Sequence, residues 1–172
     1  MALTRENIII IGFMGTQKST AGSILAERAG MRFVDTDEEI EKKYGMPISQ
    51  MFQQLGEKAF RDAETDWVRT HASANGWVVS TGGGFALREE NMRALSGRVV
   101  LLTCEPDELW RRIGQDQTRP MVNGKAKQEI KSLLDARAPV YAAYAEFSVD
   151  TTHRTPEQTA QHLMELLQWE TI

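Results

Sequence analysis

A phosphate-binding loop is the strongest chemical signal in the sequence. Four consecutive isoleucines at residues 8–11 are followed by a glycine-containing turn, and Lys18 and Ser19 then open a predicted helix. This order follows the motif G-x-x-x-x-G-K-[ST], in which backbone N–H groups cradle phosphates, the lysine adds positive charge and the hydroxyl suits Mg²⁺. An ordinary strand–turn–helix connection is the alternative, but the apolar run before the turn favours a phosphate site. The residues predicted to form this site are Gly12, Gly15, Thr16, Gln17, Lys18, Ser19 and Thr20.

One residue of this loop departs from the motif. Gln17 stands where the motif has glycine, which adopts positive φ angles without steric cost. Glutamine in the same conformation costs roughly 1–2 kcal/mol, which does not prevent the loop from forming. We expect the glutamine side chain to crowd the phosphates.

Two further polar stretches follow predicted strands. Asp35 and Asp37 come directly after the second strand, and three glycines at 82–84 come after the third. Because ligands bind at the carboxyl ends of strands in open α/β sheets, Asp35 is a candidate for orienting water on Mg²⁺ and Asp37 for accepting a hydroxyl proton. Taken alone, Asp37 fits better as the N-cap of a helix that begins at Glu38. The glycines would let a ligand approach the backbone closely, and a flexible turn is the alternative.

Three arginines are weaker candidates for binding an anion: Arg61, Arg119 and Arg137. Each alone fits a solvated residue or an ion-pair partner, and acidic residues at helical spacing flank Arg61. Arg119 lies in a polar loop at about 114–127, and a loop of this length is typical of a lid. An arginine in a lid can close over a phosphate that is being transferred.

The elements that would position these residues alternate between strands and helices. Strands are predicted at about 7–11, 32–34, 77–80, 98–103 and 146–149. Helical segments lie between them, one with Pro139 inside it, and a final helix begins at Pro156. This alternation predicts a three-layer α/β fold with a mainly parallel sheet. Because no repeat or linker interrupts the 172 residues, we predict a single domain over 1–172.

Composition excludes several classes of protein. The net charge of −4 provides no basic field for nucleic acid or anionic membrane. No segment approaches the roughly 18 apolar residues of a membrane span. The N-terminus runs almost directly into the first strand, which leaves no room for a signal peptide and predicts a cytoplasmic protein. Cys104 is the only cysteine and lies in an apolar run, so we expect a core residue and no intramolecular disulfide.

Six motifs in order resemble the shikimate kinase family. They are the loop at 12–20, Asp-Thr-Asp at 35–37, Gly-Glu-Lys-Ala-Phe-Arg-Asp-Ala-Glu at 56–64, Gly-Gly-Gly at 82–84, Arg-Pro at 119–120 and Ala-Arg-Ala-Pro-Val-Tyr at 136–141. Each motif alone is weak, whereas six in this order are specific, and the resemblance runs from about residue 7 to residue 168. It implies a P-loop kinase fold like that of nucleoside monophosphate kinases, with five parallel strands in the order 2-3-1-4-5. It also implies transfer of the ATP γ-phosphate to the 3-hydroxyl of shikimate, a step toward aromatic amino acids.

The resemblance also implies roles for single residues. Lys18, Asp37 and Arg119 would be catalytic, with Lys18 on the phosphates and Asp37 on the shikimate hydroxyls as the candidate base. Ser19 would bind Mg²⁺ and Asp35 would contact it through water. The other implied contacts are Arg61 and Arg137 on the shikimate carboxylate, Gly82, Gly83 and Gly84 along the shikimate pocket, Arg119 reaching ATP from the lid, and Arg112 and Pro156 flanking the adenine. Members of this family are usually monomers, so a monomer with small-molecule substrates alone is expected.

Two other hypotheses stay open, and the first of them is motivated by Gln17. The first is a catalytically impaired or silent paralogue that binds ATP or a partner without turnover, although every other predicted chemical residue is present. The second is a kinase for another small hydroxylated acid, such as gluconate. The paired arginines and the three glycines favour shikimate.

Overall fold

A five-stranded parallel sheet forms the centre of the protein. The computed structural model describes residues 6–114 and 127–169. Within them the strands are β1 (Ile8–Ile11), β2 (Arg32–Asp35), β3 (Trp77–Ser80), β4 (Arg98–Thr103) and β5 (Phe147–Asp150). Their order is β2-β3-β1-β4-β5, and every neighbouring pair is parallel. The predicted fold class and strand order are confirmed.

Helices cover both faces of this sheet. They are α1 (Lys18–Ala29), α2 (Thr36–Tyr44), α3 (Ile48–Gln54), α4 (Glu57–Thr70), α5 (Glu89–Ala94), α6 (Pro106–Ile113), α7 (Lys127–Tyr144) and α8 (Pro156–Leu167), with a short 3₁₀ helix at Phe85–Leu87. Across the described ranges, none of them has the length and apolar character needed to cross a membrane. The predicted lid at 114–127 falls, apart from its two end residues, outside the described residues, and so does Arg119.

β1 is buried on both faces, because its residues are at most 1% exposed. Successive side chains of a strand point to opposite faces. Ile8 and Ile10 accordingly pack with α1 and α8, whereas Ile9 and Ile11 pack with α4 and α7. The loop that follows β1 therefore leaves the middle of the sheet, between the ends of β3 and β4.

Local signals set several helix ends as expected. α1 ends at Gly30, whose φ of 65° is left-handed. Pro106 and Pro156 stand at the first positions of α6 and α8, and Thr155 closes a capping box at the start of α8. Cys104 is buried as predicted, and burial raises the pKa of its thiol.

The start of α2 differs from the prediction. The helix begins at Thr36, and its N-cap is Asp35, whose Oδ1 accepts the backbone N–H groups of Asp37 at 2.9 Å and Glu38 at 3.2 Å. The alternative that made Asp37 the cap is therefore wrong. Asp37 lies inside the first turn of the helix.

Candidate active site

The loop after β1 has the backbone of an anion cradle. Gly12 and Gly15 have φ angles of 147° and 82°, and a Cβ on Gly12 would overlap the carbonyl oxygen of Leu102. Thr16 Oγ1 and Lys18 Nζ both donate to the carbonyl oxygen of Phe13, each at 2.8 Å. The loop is thus curled around a lysine that is only 8% exposed, at the N-terminus of α1, where N–H groups and the helix dipole favour an anion.

Gln17 has the conformation that the motif reserves for glycine. Its φ of 73° and ψ of 17° are left-handed, as expected from its place in the motif. Its side chain is held against the start of α8 instead of lying over the loop: Nε2 donates to the carbonyl oxygen of Arg154 and Oε1 accepts from Thr159 Oγ1. These contacts do not support the expected crowding of the phosphates. Thr20 Oγ1 donates to the Gln17 carbonyl oxygen at 3.3 Å in the first turn of α1.

Oxygen atoms suited to a hard cation meet beside the loop. Ser19 Oγ donates to Asp35 Oδ2 and lies 3.1 Å from Ser80 Oγ. Mg²⁺ prefers oxygen ligands and keeps several waters, so this donor set fits the ion. Across residues 6–114 and 127–169 no cluster of three or more His, Cys, Asp or Glu side chains could hold a metal. Ser80 was missed from the sequence, although its position at the end of β3, before the glycines, could have indicated it.

A cleft on the other side of the loop unites the predicted substrate-binding residues. It is an open cleft with a cavity volume of about 70 Å³. Its walls are Met14, Asp37, Ile48, Phe52, Phe60, Arg61, Gly82, Gly83, Gly84 and Arg137. A larger cleft lies between α6 and α7, with Lys127 in its wall, and we assign it no ligand.

Arg61 reaches this cleft from α4 through a gap left by Gly84. A Cβ on Gly84 would overlap the guanidinium group. Nη1 donates to Glu64 at 2.9 Å and Nη2 to Glu57 at 3.4 Å. The side chains of Arg61 and Glu64 are 12% and 0% exposed, so the pair is not a solvated surface contact. Burial raises the pKa of Glu64, and the neighbouring Arg61 partly offsets that effect. The sequence offered Glu64 only as a helical partner of Arg61; its burial in the site was missed.

Arg137 enters the cleft from α7 and is 5% exposed. Its guanidinium carbon lies 5.7 Å from the centre of the Phe13 ring. In the described part of the chain, Nε of Arg137 and Oε2 of Glu64 are buried without a hydrogen bond. Buried polar atoms without partners are costly, so these atoms are suited to a polar ligand. One turn further along α7, Tyr141 donates to the Gly83 carbonyl oxygen, and burial raises the pKa of its hydroxyl.

Asp37 adjoins the glycine turn at the boundary between the loop and the cleft. A Cβ on Gly82 would lie 2.6 Å from Asp37 Oδ1, so only glycine leaves the carboxylate in place. The N–H of Gly82 donates to Thr36 Oγ1 at 3.1 Å, which joins the start of α2 to the turn after β3. The structure thus brings the predicted base and the glycine turn together.

Arg112 and Pro156 lie on the far side of the loop. The Arg112 Nη1 atom donates to the Gly15 carbonyl oxygen at 3.1 Å, and Nη2 donates to the Thr151 carbonyl oxygen at 2.7 Å. Pro156 opens α8 after the same β5–α8 turn. Their predicted contact with an adenine base stays a prediction.

The chain matches known proteins over most of its length. The family model described as shikimate kinase matches residues 14–168. A shikimate kinase of Thermodesulfovibrio yellowstonii is 40% identical over 162 residues, which cover 92% of this chain and 93% of the relative. One of Persephonella marina is 39% identical over 161 residues, covering 92% and 97%. Among solved structures, shikimate kinase from Acinetobacter baumannii in complex with shikimate matches with a TM-score of 0.91 at 33% identity, covering 96% of this chain and 94% of that one.

Proposed function

The chain belongs to the shikimate kinase family, and from this premise we propose that it transfers the γ-phosphate of ATP to the 3-hydroxyl of shikimate, giving shikimate 3-phosphate and ADP. The observation that carries the proposal is the cleft beside the phosphate loop, in which two arginines and Asp37 face one space. The product would belong to the pathway to aromatic amino acids.

Acceptor binding depends on the buried arginines. Arg61 and Arg137 would hold the carboxylate of shikimate, since a guanidinium group can donate two parallel hydrogen bonds to a carboxylate. The unpartnered Nε of Arg137 supports this assignment. Gly82, Gly83 and Gly84 would line the ring, and the missing side chain of Gly84 leaves room for Arg61.

Asp37 would receive the proton of the attacking hydroxyl. A carboxylate in this role must lie within hydrogen-bond reach of the acceptor, and Asp37 lines the same cleft as the arginines. Catalysis of phosphoryl transfer is mostly positioning and charge stabilisation, so a carboxylate placed between loop and cleft suits the reaction.

The loop would hold ATP through its backbone N–H groups and Lys18, with Gly12, Gly15, Thr16, Gln17 and Thr20 shaping the cradle. Lys18 Nζ would exchange its contact with the Phe13 carbonyl oxygen for the phosphates. Ser19 would bind Mg²⁺, and Asp35 would hold a water on it. The ion neutralises charge on the phosphate oxygens.

The remaining proposals concern the periphery of the site. Arg112 and Pro156 would flank the adenine, and Arg119 would reach the phosphates from a lid at 114–127 that excludes water. We also propose a cytoplasmic monomer, which size-exclusion chromatography with light scattering would test. A dimer would contradict that assignment.

A coupled ADP-release assay with MgATP, run with and without shikimate, tests the function. Shikimate-dependent ADP is expected, and its absence would contradict the proposal. Gluconate in place of shikimate is the control for a different acceptor, and shikimate alone should be phosphorylated. Thermal stabilisation by both ligands without turnover would favour a silent paralogue.

A further inference from the structure

The amide of Gln17 is bound at both of its polar atoms. Nε2 donates to the carbonyl oxygen of Arg154 at 2.6 Å, and Oε1 accepts from Thr159 Oγ1 at 2.7 Å. A backbone carbonyl only accepts hydrogen bonds, so the nitrogen must be the atom that faces Arg154. Thr159 is 0% exposed in α8, and a partner there is firmly placed. The side chain is therefore oriented and not simply lying on the surface.

The backbone of Gln17 needs such support. Its φ of 73° is left-handed, a region that L residues other than glycine rarely adopt. Without restraint, residue 17 would spend more time at negative φ, which rotates the peptide that leads into Lys18 and α1. Only molecules with the loop in its cradle shape bind phosphate well, and the apparent Kd rises in proportion as that fraction falls.

We propose that Gln17 is a positioning residue whose amide holds the phosphate loop in its binding shape by fastening it to the β5–α8 turn and α8. Arg112 makes a second fastening, because it binds the carbonyl oxygens of both Gly15 and Thr151. The loop is thus joined to one turn at two of its residues. Glycine at position 17 would adopt the conformation without help, whereas glutamine supplies its own tether.

The inference rests on the proposed function, since it takes the loop to be the nucleotide site. Its consequence belongs to the nucleotide half alone. Loss of the tether should lower the affinity for ADP and ATP and leave the affinity for shikimate unchanged, because none of the acceptor-binding residues contacts the Gln17 amide.

Three variants separate the amide from the backbone. Gln17→Ala keeps the unfavourable left-handed conformation and removes the amide. Gln17→Gly removes both the strain and the amide. Thr159→Val keeps the volume of a buried side chain and removes one of the two hydrogen bonds. We expect the Kd of MgADP, measured by titration calorimetry, to rise about threefold in Thr159→Val, which loses one hydrogen bond. It should rise about tenfold in Gln17→Ala, which loses both, since each lost hydrogen bond raises the Kd about threefold. Gln17→Gly should lie between the wild type and Gln17→Ala.

Two further measurements make the test specific. Adding Thr159→Val to Gln17→Ala should raise the Kd of MgADP no further, because the two residues act through one contact. Gln161→Ala removes an exposed glutamine of the same helix that contacts Arg28 and Glu165 instead of the loop, and it should leave the Kd of MgADP unchanged. Circular dichroism of each variant confirms the fold, and Thr159→Val carries the test alone if Gln17→Ala does not fold.

The outcomes distinguish this inference from the proposed function. A wild-type Kd in both Gln17→Ala and Thr159→Val would overturn the tether, as would tighter binding by Gln17→Gly. If the variants raise the Kd of MgADP as expected but the wild type releases no shikimate-dependent ADP, only the proposed function is overturned. No MgADP binding by the wild type would overturn both.

Discussion

Gly84→Ala is expected to damage the acceptor site by moving one side chain. Gly84 has φ −98° and ψ 1°, which alanine adopts without strain. The added Cβ would instead overlap three atoms of the Arg61 guanidinium group, all closer than the 3.0 Å that real Cβ contacts respect. The guanidinium group must therefore leave its position, and its ion pair with Glu64 must loosen.

The size of the effect follows from the displacement. Restoring an ordinary contact requires Arg61 to move by on the order of 1 Å. A misplacement of about 1 Å in a positioning group can cost about 100-fold. We expect kcat/KM for shikimate to fall about 10- to 100-fold, or about 1.4–2.7 kcal/mol in transition-state stabilisation. Weakening the contact to buried Glu64 should also lower the free energy of unfolding by about 1–3 kcal/mol.

Steady-state kinetics with each substrate varied in turn would measure this effect. The loss should be confined to shikimate, with KM for ATP changed less than about twofold, since the phosphate loop keeps its own contacts. The matched background is Arg61→Ala, in which the new methyl group has nothing to displace. In that background, Gly84→Ala should lower kcat/KM for shikimate little further. Additive losses, or an equal loss on ATP, would refute the reasoning.

Three other substitutions test the site and the scaffold. Asp37→Asn should lower kcat about 10²- to 10⁴-fold, as for a lost general base, while calorimetry shows a smaller change in shikimate Kd; equal losses would mean that Asp37 only binds. Burial raises the pKa of Glu64 above the ordinary value of a glutamate, so the stability linked to its proton is complete below that ordinary pKa and is lost as pH rises through the raised pKa. The glutamine of Glu64→Gln cannot titrate, so between those two pKa values the unfolding free energy of this variant relative to wild type should rise with pH, by up to about 1.4 kcal/mol per pH unit. A difference from wild type that urea denaturation shows to be constant with pH would contradict this. Thr155→Ala removes the capping box of α8 and should cost about 1 kcal/mol in thermal unfolding, and an unchanged Tm would count against the cap.

Local signals made most of the fold predictable from sequence. The isoleucine run, Gly30 and Pro156 each act through their own backbone preferences, so strand and helix ends could be read from them. The start of α2 was misplaced because two aspartates two residues apart are equally good caps by type. What decides between them is that Asp35 ends β2 and its Oδ1 faces the first N–H groups of the helix.

The missed residues depend on contacts far apart in the chain. Ser80 meets Ser19 across 61 positions, and Thr159 meets Gln17 across 142. Glu64 is recognisable as a helical neighbour of Arg61, but its complete burial results from the packing of α4 beneath the glycine turn. No periodicity or motif encodes such pairings, because they arise only when the sheet order brings the elements together.

The strand order explains why the weak motifs in the described part of the chain meet at one site. β1 lies between β3 and β4, and β2 lies next to β3, all parallel. The phosphate loop after β1, the glycine turn after β3 and Asp35 at the end of β2 must therefore lie at one edge of the sheet. Helix α4 then needs only to direct Arg61 toward Gly84, and α7 to direct Arg137 beside Gly83. The acceptor half of the site is consequently built on the glycine turn and the nucleotide half on the β1 loop. This is why we expect Gly84→Ala to impair the use of shikimate and Gln17→Ala to weaken the binding of nucleotide.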